Sequence, residues 1–424
     1  TLLHLPKCVS ETLLNPNKMR TMKRFVMTIL AGCLAGNSLF AQKEQLKHGY
    51  PIDPVPFTSV KVSDSFWGQR LKASREVTIP LAFSKCEETG RYRNFELAAH
   101  PSDTTKVTGY SFDDTDVYKT IEGASYSLQT YPDKQLAHYM DSVLDIVAAA
   151  QEPDGYLYTA RTMNPKHEWA GSKRWEKVEE LSHEFYNLGH MVEGAIAHYQ
   201  ATGSRKFLDI AIRYADCVCR EIGDGEGQVV RVPGHQIAEM ALAKLYLVTG
   251  DRKYLDQAKF FLDKRGYTSR KDEYSQAHKP VIEQNEAVGH AVRAAYMYAG
   301  MADVAALTGD SAYIKAIDTI WDNIVNKKYY ITGGIGARHQ GGAFGDKPST
   351  ASGITLSRRN SISRVVLARP IRAKPLARIT NCRTCRLTVR PVRPSGMSMS
   401  ITACSSCMEM PNTMMYWNGP CIMA

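Results

Sequence analysis

From about residue 110 to about residue 330, apolar and aromatic positions recur at intervals of three and four, and Pro and Gly gather at short breaks. That period predicts helix after helix. Three stretches share one plan: AHYQATGSRKFLDIAIRYAD, KLYLVTGDRKYLDQAKFFLD and DVAALTGDSAYIKAIDTIWD each read as helix, Thr-Gly, a polar residue, then an aromatic opening the next helix. Gly203, Gly250 and Gly309 suit the position after a helix that prefers positive φ, and Asp251 and Asp310 suit the cap of the helix that follows. Helix pairs repeated 47 and 59 residues apart point to a solenoid or a closed α/α barrel. Strands are expected only near the front, in FTSVKV at 57–62, and in the YYITGG segment after residue 328.

Composition keeps this picture globular, with 44% hydrophobic and 23% charged residues among 424. The net charge of +10 would suggest a nucleic-acid partner, but its location removes that reading. Residues 347–424 hold twelve basic residues and one acid, Glu409, which leaves 41 basic and 42 acidic residues before them. The body is neutral and the excess lies in the tail.

The expected hairpins carry polar and aromatic residues at their connections. SFDDTDVYKTIEGASY (111–126) opens with Asp113, Asp114 and Asp116, and QEPDGYLYT (151–159) is a Gly-Tyr turn. His183, His235 and His290 sit at matching helix starts in SHEFYNLGHMVEGAIAHY, PGHQIAEMAL and NEAVGHAVRAAY. One such histidine is ordinarily a scaffold group, and acids before a helix ordinarily cap it. Three with aromatics beside them point to a sugar-type pocket. His190 and His198 share the helix of His183, and His183 and His190 fall on one face, so either can be the one that meets a ligand.

The segment Met22–Ala41 has Lys23 and Arg24, then an apolar run from Phe25 and small residues ending at Ala41. It reads as a bacterial signal peptide cut before Gln42, implying a periplasmic or secreted protein. A lipobox at LAGC, with Cys33 acylated, is the lesser reading. The run is too short to span a membrane, and residues 1–21 read as upstream sequence translated in error. Cys86, Cys217 and Cys219 are then the thiols of the body, too few for a disulfide framework.

SFDDTDVYKTIEGASY, EPDGYLYT, HEFYNLGHMVEGAIAHYQATG, PGHQIAEMAL, EAVGHAVRAAYMYAGMADVAALTGD and YYITGGIGARHQGGAFG together resemble the bacterial β-L-arabinofuranosidase family of glycoside hydrolases, over about residues 55–346. The resemblance implies an (α/α)6 barrel followed by β-sandwich domains, with arabinose-containing plant-type glycans as substrates. It also implies retaining hydrolysis by a zinc-bound cysteine thiolate. A glutamate of a G-E-A-F-G loop serves as acid/base, and zinc is held by a later E-T-C motif and a Cys-Cys pair. By motif position, His183, His235 and His290 correspond to histidines that line the sugar pocket.

The departures are as informative. Gly342 stands where the acid/base glutamate belongs, and neither E-T-C nor Cys-Cys follows Asp346. The tail offers C-R-T-C and C-S-S-C instead, a spacing in which Cys382, Cys385, Cys404 and Cys407 match a zinc ribbon. A shifted reading frame accounts for more. The codons of Met408-Glu409, Met410-Pro411, Met414-Met415, Met415-Tyr416, Tyr416-Trp417 and Trp417-Asn418 force Gly, Ala, Asp, Val, Leu and Glu one frame over. With permitted choices elsewhere they yield H-G-D-A-K-Y-Y, a further copy of the repeat. The same frame over 361–396 permits G-E-A-F-G and E-T-C.

The expectation is therefore an all-α chain. Residues 42–346 form an incomplete (α/α)6 barrel with a short β segment at its front, and residues 347–424 are irregular or disordered and out of frame. No catalytic residue is retained, zinc is not expected to be bound, and neither a nucleic-acid partner nor a membrane span is foreseen. The oligomeric state stays open. Two alternatives also stay open: another α/α-barrel sugar enzyme, such as an epimerase or unsaturated-glycoside hydrolase, and a non-catalytic glycan-binding protein.

Overall fold

The computed structural model describes residues 49–50, 52, 54–102, 109–330 and 333–336, with the backbone of 387–388 and 400–401. The leader at 22–41, Cys33, Gly342 and the four tail cysteines lie outside the described residues. The unit that begins at Tyr50 carries every described helix.

Helix α1 (Ser65–Ala73) starts under Asp64, whose carboxylate accepts from the N–H groups of Phe66 and Trp67. It runs through a π-helical turn, Ser74–Thr78, into α2 (Ile79–Glu88). Pro80 at the start of α2 has no N–H to donate backwards, which explains the widened turn before it. Helix α3 (Arg91–Ala99) completes a hairpin with α2.

Four longer hairpins follow: α4 (Asp114–Thr130) with α5 (Lys134–Ala149), α7 (Glu184–Thr202) with α8 (Lys206–Glu221), α9 (Ala238–Thr249) with α10 (Arg252–Lys264), and α11 (Ala291–Thr308) with α12 (Ser311–Asn323). The short α6 (Thr159–Met163) packs on α3. The Thr-Gly-Asp junctions behave as the repeat predicts. Gly250 and Gly309 have φ of 77° and 71°, and Asp251 and Asp310 cap α10 and α12 through the N–H groups of Lys253 and Ala312.

The first helix of each long hairpin forms an inner layer in which α4 packs on α7, α7 on α9 and α9 on α11, while the second helix of each lies outside. Burial follows that order. Helix α7 is buried from Glu184 to His198 at every position but Tyr186, whereas α8 buries one stripe that includes Phe207, Ala211, Tyr214 and Val218. A glycine stands at each inner contact. A Cβ on Gly194 would lie 2.8 Å from Tyr118 O, on Gly189 2.5 Å from Ile237 Cγ2, and on Gly300 2.9 Å from Glu239 Cβ. The inner helices therefore approach more closely than any side chain at these positions would allow.

The N-terminal segment crosses this layer. Phe57 meets Tyr126 of α4 edge-on at 4.8 Å, and the Tyr50 hydroxyl donates to Asp303 of α11 at 2.7 Å. The strand expected over 57–62 is absent: Phe57–Ser59 is a 3-10 turn after Pro56, and no described strand pairs with this segment. The second expected strand is also absent from its described residues. Tyr330 instead closes a turn, accepting from Gly333 N–H and donating to Gly334 O at 2.9 and 3.0 Å. The strands that are described, Leu387–Thr388 and Ser400–Ile401, pair antiparallel in the tail.

Candidate functional site

Because the inner helices run in one direction, their first residues meet at one rim. His290 caps α11, accepting from Arg293 N–H at 3.3 Å. His183 immediately precedes α7, while His235 lies three residues ahead of α9 rather than at its first turn. The rings form a row, His183 to His235 at 6.2 Å between centroids and His235 to His290 at 5.7 Å. Phe112 packs on His183 at 5.2 Å and Tyr274 on His290 at 5.3 Å. The three histidines singled out in the sequence are thus brought together.

Below them, Tyr186 stands 4.5 Å from both His190 and His235, and Tyr296 of α11 approaches His190 and His235 at 5.9 and 6.2 Å. Both histidines named as alternatives therefore join one aromatic cluster, His183 just before α7 and His190 within it. His198 is scaffold, packed at 6.4 Å from Phe207 of the outer layer. Tyr186, Tyr296, Lys119 and Arg293 were not singled out from the sequence. The available signal was spacing, since Tyr186 and Arg293 each follow a rim histidine by three residues.

The hydrogen bonds fix what each rim histidine can offer. Nδ1 of His183 lies 3.0 Å from Leu181 O and 2.9 Å from Ser111 Oγ, and Nδ1 of His235 lies 3.0 Å from Gln236 O. A proton on Nδ1 serves these carbonyls and leaves both Nε2 atoms as acceptors. In His290 the accepting Nδ1 places the proton on Nε2, a donor. Burial, reinforced by the positive charge of Arg293, pushes the His183 pKa down to about 4 and lowers those of His235 and His290. His190 is likewise lowered by burial, with Lys119 adding to it. All four rings are neutral near pH 7.

Deeper still, the Lys244 ammonium of α9 pairs with Glu193 of α7, and burial raises the Asp303 pKa to about 7.

The zinc that the resemblance implies finds no cage among the described residues. The ring nitrogens of the three rim histidines do not gather within ligand spacing of one another. One group has ligand spacing, Asp154, Cys217 and Glu221. Its carboxylates are engaged by Arg174 at 2.5 and 3.3 Å, and Arg174 also holds Glu152 at 2.5 Å. Burial and the charges of Glu221 and Asp154 raise the Cys217 thiol to about 12. It is an ion-pair network with an arginine at its centre.

A family model for the β-L-arabinofuranosidase, GH127 catalytic domain, matches residues 59–367. The chain belongs to the GH127 β-L-arabinofuranosidase family. The non-reducing end β-L-arabinofuranosidase of Bifidobacterium longum is 37% identical over 272 residues, covering 59% of this chain and 41% of that protein. A solved GH127 β-arabinofuranosidase is 82% identical with a TM-score of 0.70, covering 71% of this chain and 48% of that one. A GH127 β-L-arabinofuranosidase of Geobacillus stearothermophilus T6 is 38% identical with a TM-score of 0.64, covering 68% and 48%. This GH127 chain thus spans under half the length of these relatives. The rim histidines and the six motif stretches all fall inside the matched region.

Proposed function

We propose that the chain is an exported GH127 protein whose His183–His235–His290 rim holds the terminal β-L-arabinofuranosyl unit of plant-type arabinose-containing glycans, and that as it stands it binds the sugar with little or no turnover. The observation that carries the reading is the row of two acceptors and one donor beside Phe112 and Tyr274. A furanose offers alternating hydroxyls, each able to donate and accept, and an apolar face for an aromatic ring. Low turnover follows from Gly342, which has no proton to give a leaving oxygen. A general acid is worth about 10² to 10⁴ in rate.

Two assays on the full chain test this together. Calorimetry with L-arabinose should show binding that His235→Ala abolishes. A chromogenic β-L-arabinofuranoside should be cleaved at least about 10²-fold more slowly than by the Geobacillus relative. No binding, or hydrolysis at the relative's rate, overturns the reading. Metal analysis and sequencing of the DNA across codons 340–424 test the tail. A zinc ribbon of Cys382, Cys385, Cys404 and Cys407 would hold one zinc per chain, whereas a shifted frame would spell the family motifs. N-terminal sequencing of exported protein should begin at Gln42.

A further inference from the structure

Two cations beside the rim histidines have no carboxylate ion-pair partner among the described residues. Lys119 of α4 spends two of its three N–H bonds on neutral oxygens, Thr115 Oγ1 and Tyr186 OH, both at 3.0 Å. Arg293 of α11 donates to Gly234 O at 2.5 Å and stacks over Tyr274 at 4.9 Å, while its buried Nε has no partner. Among the described residues neither forms an ion pair.

Most of the nearby acids are held by other groups. At the start of α4, Asp113 and Asp116 pair with Arg91 at 3.2 and 3.0 Å, and Asp114 accepts from Thr159. Glu184 at the start of α7 accepts from Tyr156, Ser182 and Trp175, and Glu239 of α9 holds Arg265 at 3.3 Å. Asp272, which attracts Arg293 from a distance, is bound to Arg270 at 2.5 Å. Asp116 and Glu122, on the same helix as Lys119, attract it, and Glu193 is bound to Lys244. Burial lowers the pKa of Lys119 to about 8 and that of Arg293 to about 10, the signature of charges held out of water without full compensation.

We infer that the glycan recognised here is acidic, with a carboxylate on or beside the arabinose unit drawn to Arg293 and Lys119. The inference rests on the pocket reading above and adds the substrate's charge to it. The Nε and Nη donors of a guanidinium fit a carboxylate, and the neutral rim histidines leave that attraction unopposed.

Calorimetry on the full chain at pH 7 separates the outcomes, with L-arabinose, L-arabinonate and acetate as ligands. L-arabinonate should bind about tenfold tighter than L-arabinose, as one charge-assisted hydrogen bond provides. That advantage should shrink as ionic strength rises from about 0.05 to about 0.5 M. Arg293→Gln should erase the preference, and Arg293→Lys should restore part of it. If L-arabinose binds and L-arabinonate binds no tighter, this inference fails while the pocket reading stands. If neither sugar binds, both fail. Acetate matching L-arabinonate would mark a bare anion site and overturn the acidic-sugar assignment. Should Arg293→Gln not fold, the salt dependence of the wild-type preference decides alone, and a preference that salt leaves unchanged overturns the inference.

Discussion

Arg265 and Arg293 are both withdrawn from water, yet they are treated in opposite ways. Arg265, 1% exposed, donates to Ser275 O, Pro233 O and the Glu239 carboxylate, itself 0% exposed. Arg293 has one carbonyl, one aromatic face and, among the described residues, no carboxylate. The first arginine belongs to the wall that locks α9 to the segment after α10, and the second to the rim. The contrast extends to their surroundings. Charged groups in the wall meet carboxylates within the protein, as Arg174 meets Glu152, Asp154 and Glu221. An unpartnered Nε is common to Arg265 and Arg293, and what separates the two is the carboxylate, which Arg293 lacks among the described residues. A buried polar group costs free energy unless it is bonded. At the rim, the proposed partner is the ligand. Wall variants should therefore move stability, and rim variants should move binding.

The largest expected effect tests the wall. Arg265→Met leaves Glu239 charged, buried and unpaired, and breaking one side of such a pair costs about 3–5 kcal/mol. At about 2–4 °C per kcal/mol for a domain of this size, the melting temperature should fall by roughly 10 °C. Arg293→Gln should move it by less than about a quarter of that, since no buried acid loses its partner. Equal losses in the two variants would abolish the distinction between wall and rim.

The wall was also the region more legible in the sequence. Thr-Gly-Asp turns announce hairpins because positive φ and a capping carboxylate are local demands, met by Gly250, Asp251, Gly309 and Asp310 whatever the rest of the chain does. The rim was half legible. His183, His235 and His290 stood out because they sit at breaks, where the period stops. Tyr186, Tyr296, Lys119 and Arg293 lie inside helices, and a helix such as α7, buried on nearly every side, has no polar stripe to distinguish a pocket face from a core face. The close approaches at Gly189, Gly194 and Gly300 depend on which helices meet, and no single-helix pattern encodes that. FTSVKV failed for the complementary reason: strand composition makes a strand only when a neighbour supplies hydrogen bonds.

A smaller effect sharpens the rim side through pH. The His183 pKa falls from 6.5 to about 4 on folding. Between those values the unfolded chain binds a proton that the folded chain refuses, so stability rises with pH across this window and is fully present above pH 6.5. Asp114 and Asp303 act in the opposite sense, because burial raises their pKa values to about 6 and about 7. A comparison of variants isolates the histidine. His183→Gln should lose less stability than wild type when the pH drops from 6.5 to 4, seen in paired thermal melts. Parallel curves for the two proteins would show that His183 does not stay neutral when folded.

The smallest effect lies at the far end of the same helices. Asp310 accepts from Ala312 N–H at 3.0 Å and stands 3.6 Å from Lys259, a pairing exposed enough to contribute little. Its value is the cap, about 1 kcal/mol, so Asp310→Ala should lower the melting temperature by about 2–4 °C. The junction it caps joins the C-terminal end of α11 to α12, whereas His290 caps the N-terminal end of α11 at the rim. Both are N-caps, but only His290 lies at the proposed sugar rim. Asp310→Ala should therefore leave L-arabinose affinity unchanged, while His290→Ala should weaken it for a similar loss of stability. If the two variants change binding alike, the histidine at the rim serves its helix and nothing more.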